Sequence, residues 1–506
     1  MTKVISAEEA VKLIQNNQTV AILGSGGGVC EPTFLLKHIG EYYKKTGSPR
    51  NLTLYHANGI GDKDSCGTDA LAYEGLVKRD IAGHWAMAPK MAQLALDEKI
   101  EAYNFPQGVL SQMYPAVAAN KPGVITKIGL HTFVDPRNEG GKMNRLAQED
   151  LVEVLELGGE EWLWYKPYRF DVGLVRGTTM DCCGNITCEE EAALLDGRAL
   201  AQAVKNSGGI VIAQVKYLSE QHAKPKEVVI PGIYVDYVVV DPDQQQTCER
   251  VYDPALAGNV RVPVDSVPDL PMGQRKIVAR RAAMELRENA VINLGVGMPD
   301  GIASVAKEDG YLDKLHFTVE HGIIGGMPMG GIIFGASHNA EVILDQTSQF
   351  NFYDGGGLDM CFLGMAQADR LGNVNSSKTG RLLSGCGGAI NISQNAKKAV
   401  FCGTFTAKGL EVQVHDGKVE IMKEGQIRKF VREVDQITFS GEYAKSIRQP
   451  VIYVTERAVF ELTDGKMVLT EIAPGVDLER DILAQMDFAP VISKRLKLMD
   501  ASIFSE

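Results

Sequence analysis

The chain has 506 residues, more than one hydrophobic core usually spans, so two or more domains are expected. Hydrophobic residues make up 45% and charged residues 23% of the sequence, which is typical of a folded protein and excludes extended disorder. The formal net charge of -12 argues against nucleic acid or an anionic membrane as the main partner, because both bind basic surfaces.

The first predicted element is an amphipathic helix within residues 1–15, which lack the apolar region of a secretion signal. No stretch approaches the roughly 18 apolar residues that a membrane span requires. The chain has nine cysteines, an odd number, and in a sequence of this length they do not indicate a disulfide framework. We therefore expect a cytoplasmic protein.

Short apolar runs rich in β-branched residues alternate with helical patterns along the chain, and glycines separate them. A helical pattern at residues 32–45 follows the first run. Strands are predicted within residues 19–26, 209–218, 290–297, 360–368 and 398–405. This alternation predicts an α/β fold with largely parallel, buried sheets.

Three cysteines near the middle of the chain, Cys182, Cys183 and Cys188, are the closest approach to a metal-binding motif. The sequence has no C-x-x-C pair there and no nearby histidine, and adjacent side chains point apart in most backbones. We predict that these three residues are reduced, buried thiols without a metal.

The polar, proline-containing stretch 253–272 is predicted to link two domains, residues 1–252 and residues 273–506. The two halves resemble each other, which predicts two copies of one α/β unit in tandem. Chance similarity between strand–turn–strand patterns is the alternative. Residues 171–187 align without gaps on residues 359–375, which pairs Asp171 with Asp359, Gly184 with Gly372 and Asn185 with Asn373.

Glycine-rich turns border the predicted strands at residues 24–28, 295–299 and 384–388. Such turns let the backbone approach a ligand, and their N–H groups can form an anion site or an oxyanion hole. The first turn has neither the spacing of a dinucleotide-binding fingerprint nor the Lys-Ser/Thr of a P-loop. A tight turn without a ligand explains it about equally well.

The strongest catalytic candidate is Glu320, within the run TVEHGIIGG at residues 318–326. It follows a predicted strand and precedes glycines, and open α/β sheets bind ligands at such strand ends. A carboxylate that caps a turn or pairs with a lysine would also fit these residues.

The TVEHGIIGG run resembles the active-site glutamate motif of class I coenzyme A (CoA) transferases, specifically the single-chain propionate and short-chain acyl-CoA:acetate transferases. Further similar segments run over nearly the whole chain in the same order. They include EGLVKRDIAGHW (74–85), KPGVITKIGLHTFVDPRNEGGK (121–142), NLGVGMP (293–299), YDGGGLDMCFLG (353–364) and TEIAPGVDL (470–478). The resemblance implies two fused, homologous domains, in agreement with the internal duplication.

The resemblance also implies a mechanism and a set of site residues. Glu320 would be the nucleophile and would carry an acyl anhydride and then a CoA thioester. The backbone N–H groups of Val296 and Gly388, or of Gly387 as the neighbouring candidate, would stabilise the oxyanion. Further candidates for binding CoA or the acyl group are Gly26, Gly27, Gln107, Gly297, Met298, His321 and Gly385.

Two of these positions, and the nearby Glu31, need separate interpretation. An exposed turn explains Gln107 about equally well. Glu31, beside the first glycine turn, is interpreted as a charge at a helix N-terminus rather than as a second catalytic acid. Family members commonly have serine where this chain has His321, and a cationic imidazole there could lower the pKa of the Glu320 carboxylate.

The resemblance implies no permanently bound cofactor and no metal, since CoA is itself a substrate and a transient adduct on Glu320. It also implies a homo-oligomer, with a tetramer favoured. An acyl-CoA hydrolase on the same scaffold, or a non-catalytic acyl-CoA sensor, is the alternative. The sequence leaves the acids open, because one methylene changes binding by only about 1–3 kcal/mol.

Overall fold

In the amino-terminal part of the chain, eight strands form one sheet in which every strand is parallel to its neighbours. The structure is a computed structural model and describes residues 2–263 and 270–505. The strands are β1 (Lys3–Val4), β2 (Thr19–Ile22), β3 (Leu52–His56), β4 (Val77–Ala82), β5 (Glu101–Asn104), β6 (Val172–Arg176), β7 (Ile210–Val215) and β8 (Tyr237–Val240). Their order across the sheet is β1-β8-β7-β6-β2-β3-β4-β5.

The apolar character of these strands follows from burial on both faces. All five residues of β6 are buried, as are the last three of β2, and a parallel sheet covered on both sides needs such continuous apolar runs. The helices of this part are α1 (Ala7–Lys12), α2 (Thr33–Thr46), α3 (Pro89–Leu96), α4 (Gln107–Ala118) and α5 (Gly197–Asn206).

In the carboxyl-terminal part, eight strands of a ten-stranded sheet lie in the order β10-β9-β11-β12-β13-β14-β15-β16. They are β9 (Val291–Leu294), β10 (His316–Val319), β11 (Met360–Gly364), β12 (Ala399–Cys402), β13 (Val451–Val454), β14 (Ala458–Thr463), β15 (Lys466–Ile472) and β16 (Val491–Leu498). The first five in this order are parallel, and the pairs β13–β14 and β14–β15 are antiparallel. The remaining helices are α6 (Gln274–Ala283), α7 (Gly301–Glu308), α8 (Gln346–Asp354), α9 (Ala389–Asn395) and α10 (Gly441–Ser446).

Short elements complete the fold. The single-turn helices are Gly67–Leu71, Gly232–Tyr234, Leu312–Lys314, Gly331–Ile333, Leu478–Ile482, Leu483–Gln485 and Ala501–Phe504. The short strands are Val124–Thr126, Val152–Leu157, Glu160–Tyr165, Thr179–Met180, Ile186–Thr187, Tyr217–Leu218, Ile323–Ile324, Met327–Pro328, Ser337–His338, Val342–Ile343, Gln367–Asp369, Val374–Asn375, Lys378–Thr379, Leu382–Leu383, Thr406–Ala407, Glu411–His415, Lys418–Lys423, Ile427–Arg428 and Phe430–Val431.

The α/β prediction is confirmed. Each of the five predicted strand runs contains a strand of one of the two large sheets (β2, β7, β9, β11 and β12), and the helical pattern at 32–45 is α2. The structure has no helix, within the residues described, that is long and apolar enough to cross a membrane.

The chain forms two compact units, and neither is contiguous in sequence. The first contains residues 1–262, 319–351 and 383–391, and the second contains residues 263–318, 352–382 and 392–506. The predicted domains, 1–252 and 273–506, are single stretches and therefore differ from these units, since two segments of the carboxyl-terminal half belong to the first. Residues 264–269 of the predicted linker 253–272 lie outside the described residues.

Equivalent hydrogen bonds in the two units match the predicted duplication. In the first unit, the carboxylate of Asp171 accepts the N–H of Thr19, the first residue of β2, at 2.7 Å. In the second unit, the carboxylate of Asp359 accepts the N–H of Val291, the first residue of β9, at 2.9 Å. In both cases a carboxylate just before one strand therefore fixes the start of its neighbour.

A second equivalent feature is a turn closed by a carboxylate. The Asp181 carboxylate accepts the backbone and side-chain N–H groups of Asn185, and the Asp369 carboxylate accepts those of Asn373. The side-chain oxygens of the two asparagines in turn accept the N–H groups of Gly232 and Gly441. The same turn thus recurs in both units and ties two loops together.

We predict that Asp369→Ala destabilises the protein, because the buried carboxylate also accepts the N–H of Leu371 and the change leaves all of these donors unpaired. Hydrogen bonds to a charged group contribute about 1.5–3 kcal/mol each, so the free energy of unfolding should fall by about 2 kcal/mol or more. Denaturant titration measures this. The exposed Asp313→Ala is the control and should stay within about 0.5 kcal/mol of the wild type.

Candidate active site

Glu320 stands directly after β10, in a tight turn. The residue is only 7% exposed. The turn is closed by the N–H of Gly322, which donates to the carbonyl of Val319 at 3.1 Å. Gly322 has φ 101°, and a Cβ there would lie 2.2 Å from the carbonyl oxygen of Leu344, so only glycine fits. The glycine after Glu-His therefore fixes the carboxylate at a strand end with little access to water.

His321 is buried beside this carboxylate, and its imidazole has one polar contact within the described ranges 2–263 and 270–505. The Nε2 atom lies 2.7 Å from the hydroxyl oxygen of Ser25, in the first glycine-rich turn. The ring fits because residue 335 is glycine: a Cβ there would lie 2.7 Å from the ring. This contact brings two sequence-predicted segments together within the first unit.

The prediction that His321 could be cationic near neutral pH is wrong. The side chain is 4% exposed, and burial lowers the pKa of its imidazole even though the nearby Glu320 carboxylate favours the charged form. An imidazole with a pKa below its usual 6.5 is neutral at pH 7. His321 is therefore a neutral neighbour of Glu320.

The turn at residues 384–388 is held by residues at the carboxyl ends of β4 and β5, in the all-parallel sheet. The carbonyl of Ser384 accepts the N–H of Trp85 at 2.6 Å, and the N–H of Gly387 donates to the carbonyl of Gly83 at 2.7 Å. The N–H of Cys386 donates to the side chain of Asn104 at 2.8 Å. Gly385 is packed tightly, since a Cβ on it would lie 2.8 Å from that asparagine's amide nitrogen.

The N–H of Gly388 differs from that of Gly387, which is already hydrogen-bonded. Gly388 is buried, and within the described part of the chain its N–H has no hydrogen-bond acceptor. The two glycines named as oxyanion candidates therefore differ: the Gly387 N–H is occupied, and the Gly388 N–H is available.

Gln107 is buried at the start of α4, so the interpretation as an exposed turn residue is wrong. Its backbone N–H donates to the carbonyl of Gly387 at 2.9 Å. Its side-chain amide donates to the side chain of Asn58 at 2.6 Å and to Gln346 at 3.4 Å. Gln107 thus connects the 384–388 turn to the loop that follows β3 and to the first residue of α8.

The polar residues that support this turn are not among the candidates that the sequence predicts. Asn58 donates to the carbonyl of Gly24, and Gln346 donates to the buried carboxyl of Asp196. Burial raises the pKa of Asp196 to about 6, although hydrogen bonds from Ser111 and Thr347 oppose the shift. A signal existed, since Asn58 and Asn104 lie at or just after the carboxyl ends of strands, where α/β sheets place functional polar groups.

The glycines of the first turn are buried, and part of their hydrogen-bonding capacity is already used. The N–H of Gly27 donates to the carbonyl of Gly61 at 2.8 Å, and its carbonyl accepts the N–H of Cys248. Gly26 pairs with Gly61 as an isolated parallel bridge. This turn is therefore tied to the loop that follows β3.

The remaining predicted residues, Val296, Gly297 and Met298, lie in the second unit, just after β9. Val296 is exposed, and its N–H has no hydrogen-bond acceptor among the residues that the structure describes. The N–H of Gly297 donates to the carboxylate of Asp300, and Met298 packs against the apolar core of this unit.

Glu31 is completely buried two residues before α2. One carboxyl oxygen accepts the N–H of Gly67 and the hydroxyl of Thr33, both at 2.8 Å. Burial raises the pKa of Glu31 to about 7, against these hydrogen bonds and the charge of Arg176. Only part of the population is ionised near neutral pH, so the interpretation of Glu31 as a helix-stabilising charge holds only in part.

The prediction of buried thiols is wrong for Cys182 and Cys183 and holds only in part for Cys188. Cys182 and Cys183 are exposed, and Cys188 is intermediate. The expectation that adjacent side chains point apart also fails, because the loop brings both sulfur atoms to one imidazole, that of His222.

Comparisons with known proteins agree with the fold and with the segment similarities. A family profile described as coenzyme A transferase matches residues 4–241. A caffeate CoA-transferase from Acetobacterium woodii is 50% identical over 515 residues, covering 100% of this chain and 98% of the relative. The acetate CoA-transferase YdiF of Escherichia coli K12 is 48% identical over 507 residues, covering 99% and 95%.

Solved structures give the same result. The chain superimposes on an acyl-CoA transferase (YdiF) from Escherichia coli O157:H7, in a thioester complex with CoA, with a TM-score of 0.95 and 46% identity. The match covers 100% of this chain and 96% of that one. The apoenzyme of the same protein gives a TM-score of 0.96 and 47% identity.

We predict that the ionisation of Glu31 lowers the free energy of unfolding as the pH rises from about 5 to 8. The folded-state pKa of about 7 lies above the ordinary 4.5, so between these values the folded protein keeps a proton that the unfolded chain has lost. The melting temperature of the wild type should therefore fall from pH 5 to pH 8 more steeply than that of Glu31→Gln, which cannot ionise. Glu41→Gln, at an exposed position of α2, is the control and should follow the wild type. Parallel pH curves for the wild type and Glu31→Gln would contradict the assignment.

Proposed function

This chain belongs to the coenzyme A transferase family, and we propose that it moves CoA between a short-chain acyl-CoA and a free carboxylate through the side chain of Glu320. The observation that carries this proposal is a single carboxylate, 7% exposed, at the end of β10 beside a neutral imidazole. A nucleophile that preserves the energy of a thioester needs such a site, because water would otherwise hydrolyse the activated intermediate.

The proposed reaction has two covalent intermediates. A carboxylate oxygen of Glu320 attacks the acyl-CoA carbonyl carbon, the C–S bond breaks, and CoA leaves as a thiolate, which gives an acyl-glutamyl anhydride. The thiolate then attacks the Glu320 carbonyl and releases the first acid, which leaves a glutamyl-CoA thioester. A second carboxylate enters and the steps run in reverse, so no proton is consumed and no oxidant is required.

Each attack places negative charge on a carbonyl oxygen, and we assign the Gly388 N–H as a donor to it. The choice over Gly387 rests on availability: the Gly387 N–H already donates to Gly83, and that of Gly388 has no acceptor in the described residues. Such a preorganised donor contributes about 3 kcal/mol to the transition state. The corresponding role of Val296 stays a prediction from the family resemblance.

The neutral state of His321 supports the nucleophilic role of its neighbour. A fixed cation would stabilise the ground-state carboxylate and reduce its reactivity, whereas a neutral imidazole does not. The contact between Nε2 and Ser25 holds the ring in place. We propose that His321 positions Glu320 and shapes the site and does not transfer protons.

The substrates are proposed at the level of a chemical class. Relatives about equally similar to this chain are named for caffeate and for acetate, so similarity alone does not choose the acid. We propose acetate, propionate, butyrate or lactate-like acids, in line with the sequence resemblance. We also propose that the protein self-associates, with a tetramer favoured.

The kinetic test is CoA exchange between acetyl-CoA and propionate. We expect parallel double-reciprocal lines in the wild type, because a covalent intermediate separates the two half-reactions. Glu320→Gln should lower kcat by about 10⁴-fold or more, as loss of a nucleophile does elsewhere. Glu341→Gln, an exposed residue of the same segment, should retain wild-type activity.

Two other outcomes would overturn parts of the proposal. Release of free CoA at the same rate with and without propionate would identify a hydrolase. Binding of acetyl-CoA without any exchange, unaffected by Glu320→Gln, would identify a sensor.

A further inference from the structure

A group of metal-ligating side chains lies outside the site described above. The Sγ atoms of Cys182 and Cys183 lie 3.6 Å and 3.5 Å from Nδ1 of His222, a residue 40 positions further along the chain. One ligand atom from each of the three residues lies within 4.8 Å of the others, and all three residues are exposed. The transferase chemistry proposed for Glu320 does not use them.

These distances fit one metal ion. Zinc takes tetrahedral geometry with bonds of about 2.3 Å to sulfur and about 2.0–2.1 Å to nitrogen. Those bond lengths and the tetrahedral angle give a sulfur-to-nitrogen edge of about 3.6 Å. The two observed distances match this edge, and both involve the same nitrogen atom. Two of the three edges that join these ligand atoms therefore already have the length that a tetrahedral zinc site requires.

The group is held together by a buried carboxylate. Asp181 is 3% exposed and accepts the N–H of Cys183 at 2.8 Å and the N–H of Ala223, next to His222, at 3.1 Å. One side chain thus fixes the cysteine turn and the histidine loop to each other. Such support reduces the conformational cost of binding, because the ligands do not have to be collected from separate flexible segments.

The second unit shows that this turn does not require cysteine. Its equivalent, closed by Asp369 and Asn373, has the same carboxylate–amide hydrogen bonds. At the offset of 188 residues, Cys182 and Cys183 correspond to Arg370 and Leu371. The two thiols are therefore not part of what the turn needs to fold, which leaves ligand binding as a reason for them.

We propose that Cys182, Cys183 and His222 form a binding site for one thiophilic divalent cation per chain, with zinc the best fit. Two thiolates and a neutral imidazole are the ligands, and the two thiol protons are released to solvent on binding. Solvent supplies the fourth ligand, since all three residues are exposed. His222 also lines a cavity of about 470 Å³, together with Asp181, Cys188 and Lys226, so the open position borders a space that a small ligand could enter.

Zinc titration of the metal-free, fully reduced full-length protein against a competing chelator tests the proposal. We expect one equivalent per chain in the wild type, and at least about 10-fold weaker binding in each of Cys182→Ser, Cys183→Ser and His222→Gln, since even loss of supporting contacts costs that much. Cys248→Ser removes another exposed thiol that is not in the group and should bind as the wild type does.

Cobalt(II) gives a second readout, and its spectrum in the wild type does not depend on any variant folding. Cobalt bound to the wild type should show the intense visible bands of a tetrahedral ion and thiolate charge-transfer absorption, and Cys248→Ser should show the same spectrum. A wild type that binds less than one equivalent, binding that survives all three substitutions, or a cobalt spectrum without thiolate bands would overturn the proposal. Transferase activity should be unchanged in Cys182→Ser, which separates this site from the reaction at Glu320.

Discussion

The structure depends on keeping one carboxylate at a strand end and nearly out of water. Glu320 occupies this position because Gly322 allows a turn that a larger residue would block. His321 fits beside it because Gly335 leaves room for the ring, and the same burial keeps the imidazole neutral. Two glycines therefore decide both the place of the carboxylate and the charge of its neighbour.

The surrounding loops of the first unit are organised by the carboxyl ends of its parallel strands. The turn at residues 384–388 is held by the backbone carbonyl of Gly83 and by the side-chain amide of Asn104. Asn58 supports it indirectly, through its hydrogen bond with Gln107. This network uses the N–H of Gly387, whereas the N–H of Gly388 has no acceptor among the residues that the structure describes. The choice between these two N–H groups as donor to a substrate oxyanion therefore depends on the hydrogen bonds that the folded loops already make.

The sequence was sufficient for the α/β class, the strand positions, the duplication and the family, because these follow from local patterns and from motifs. Features that depend on residues far apart in the chain could not be predicted. The neutral state of His321 requires its burial against Ser25 and Gly335, and the preference for Gly388 requires the contact with Gly83. The approach of His222 to Cys182 and Cys183 likewise arises only when the loops are folded.

The central claim is that Glu320 becomes covalently bonded to CoA, and intact-protein mass spectrometry tests it most directly. The protein is mixed with propionyl-CoA or acetyl-CoA in the absence of an acceptor acid, as wild type and as Glu320→Ala. The account predicts an added mass of one CoA in the wild type alone, located by digestion to the peptide that contains Glu320. No adduct from any short-chain donor, under conditions in which acyl-CoA binding is demonstrated, would contradict it.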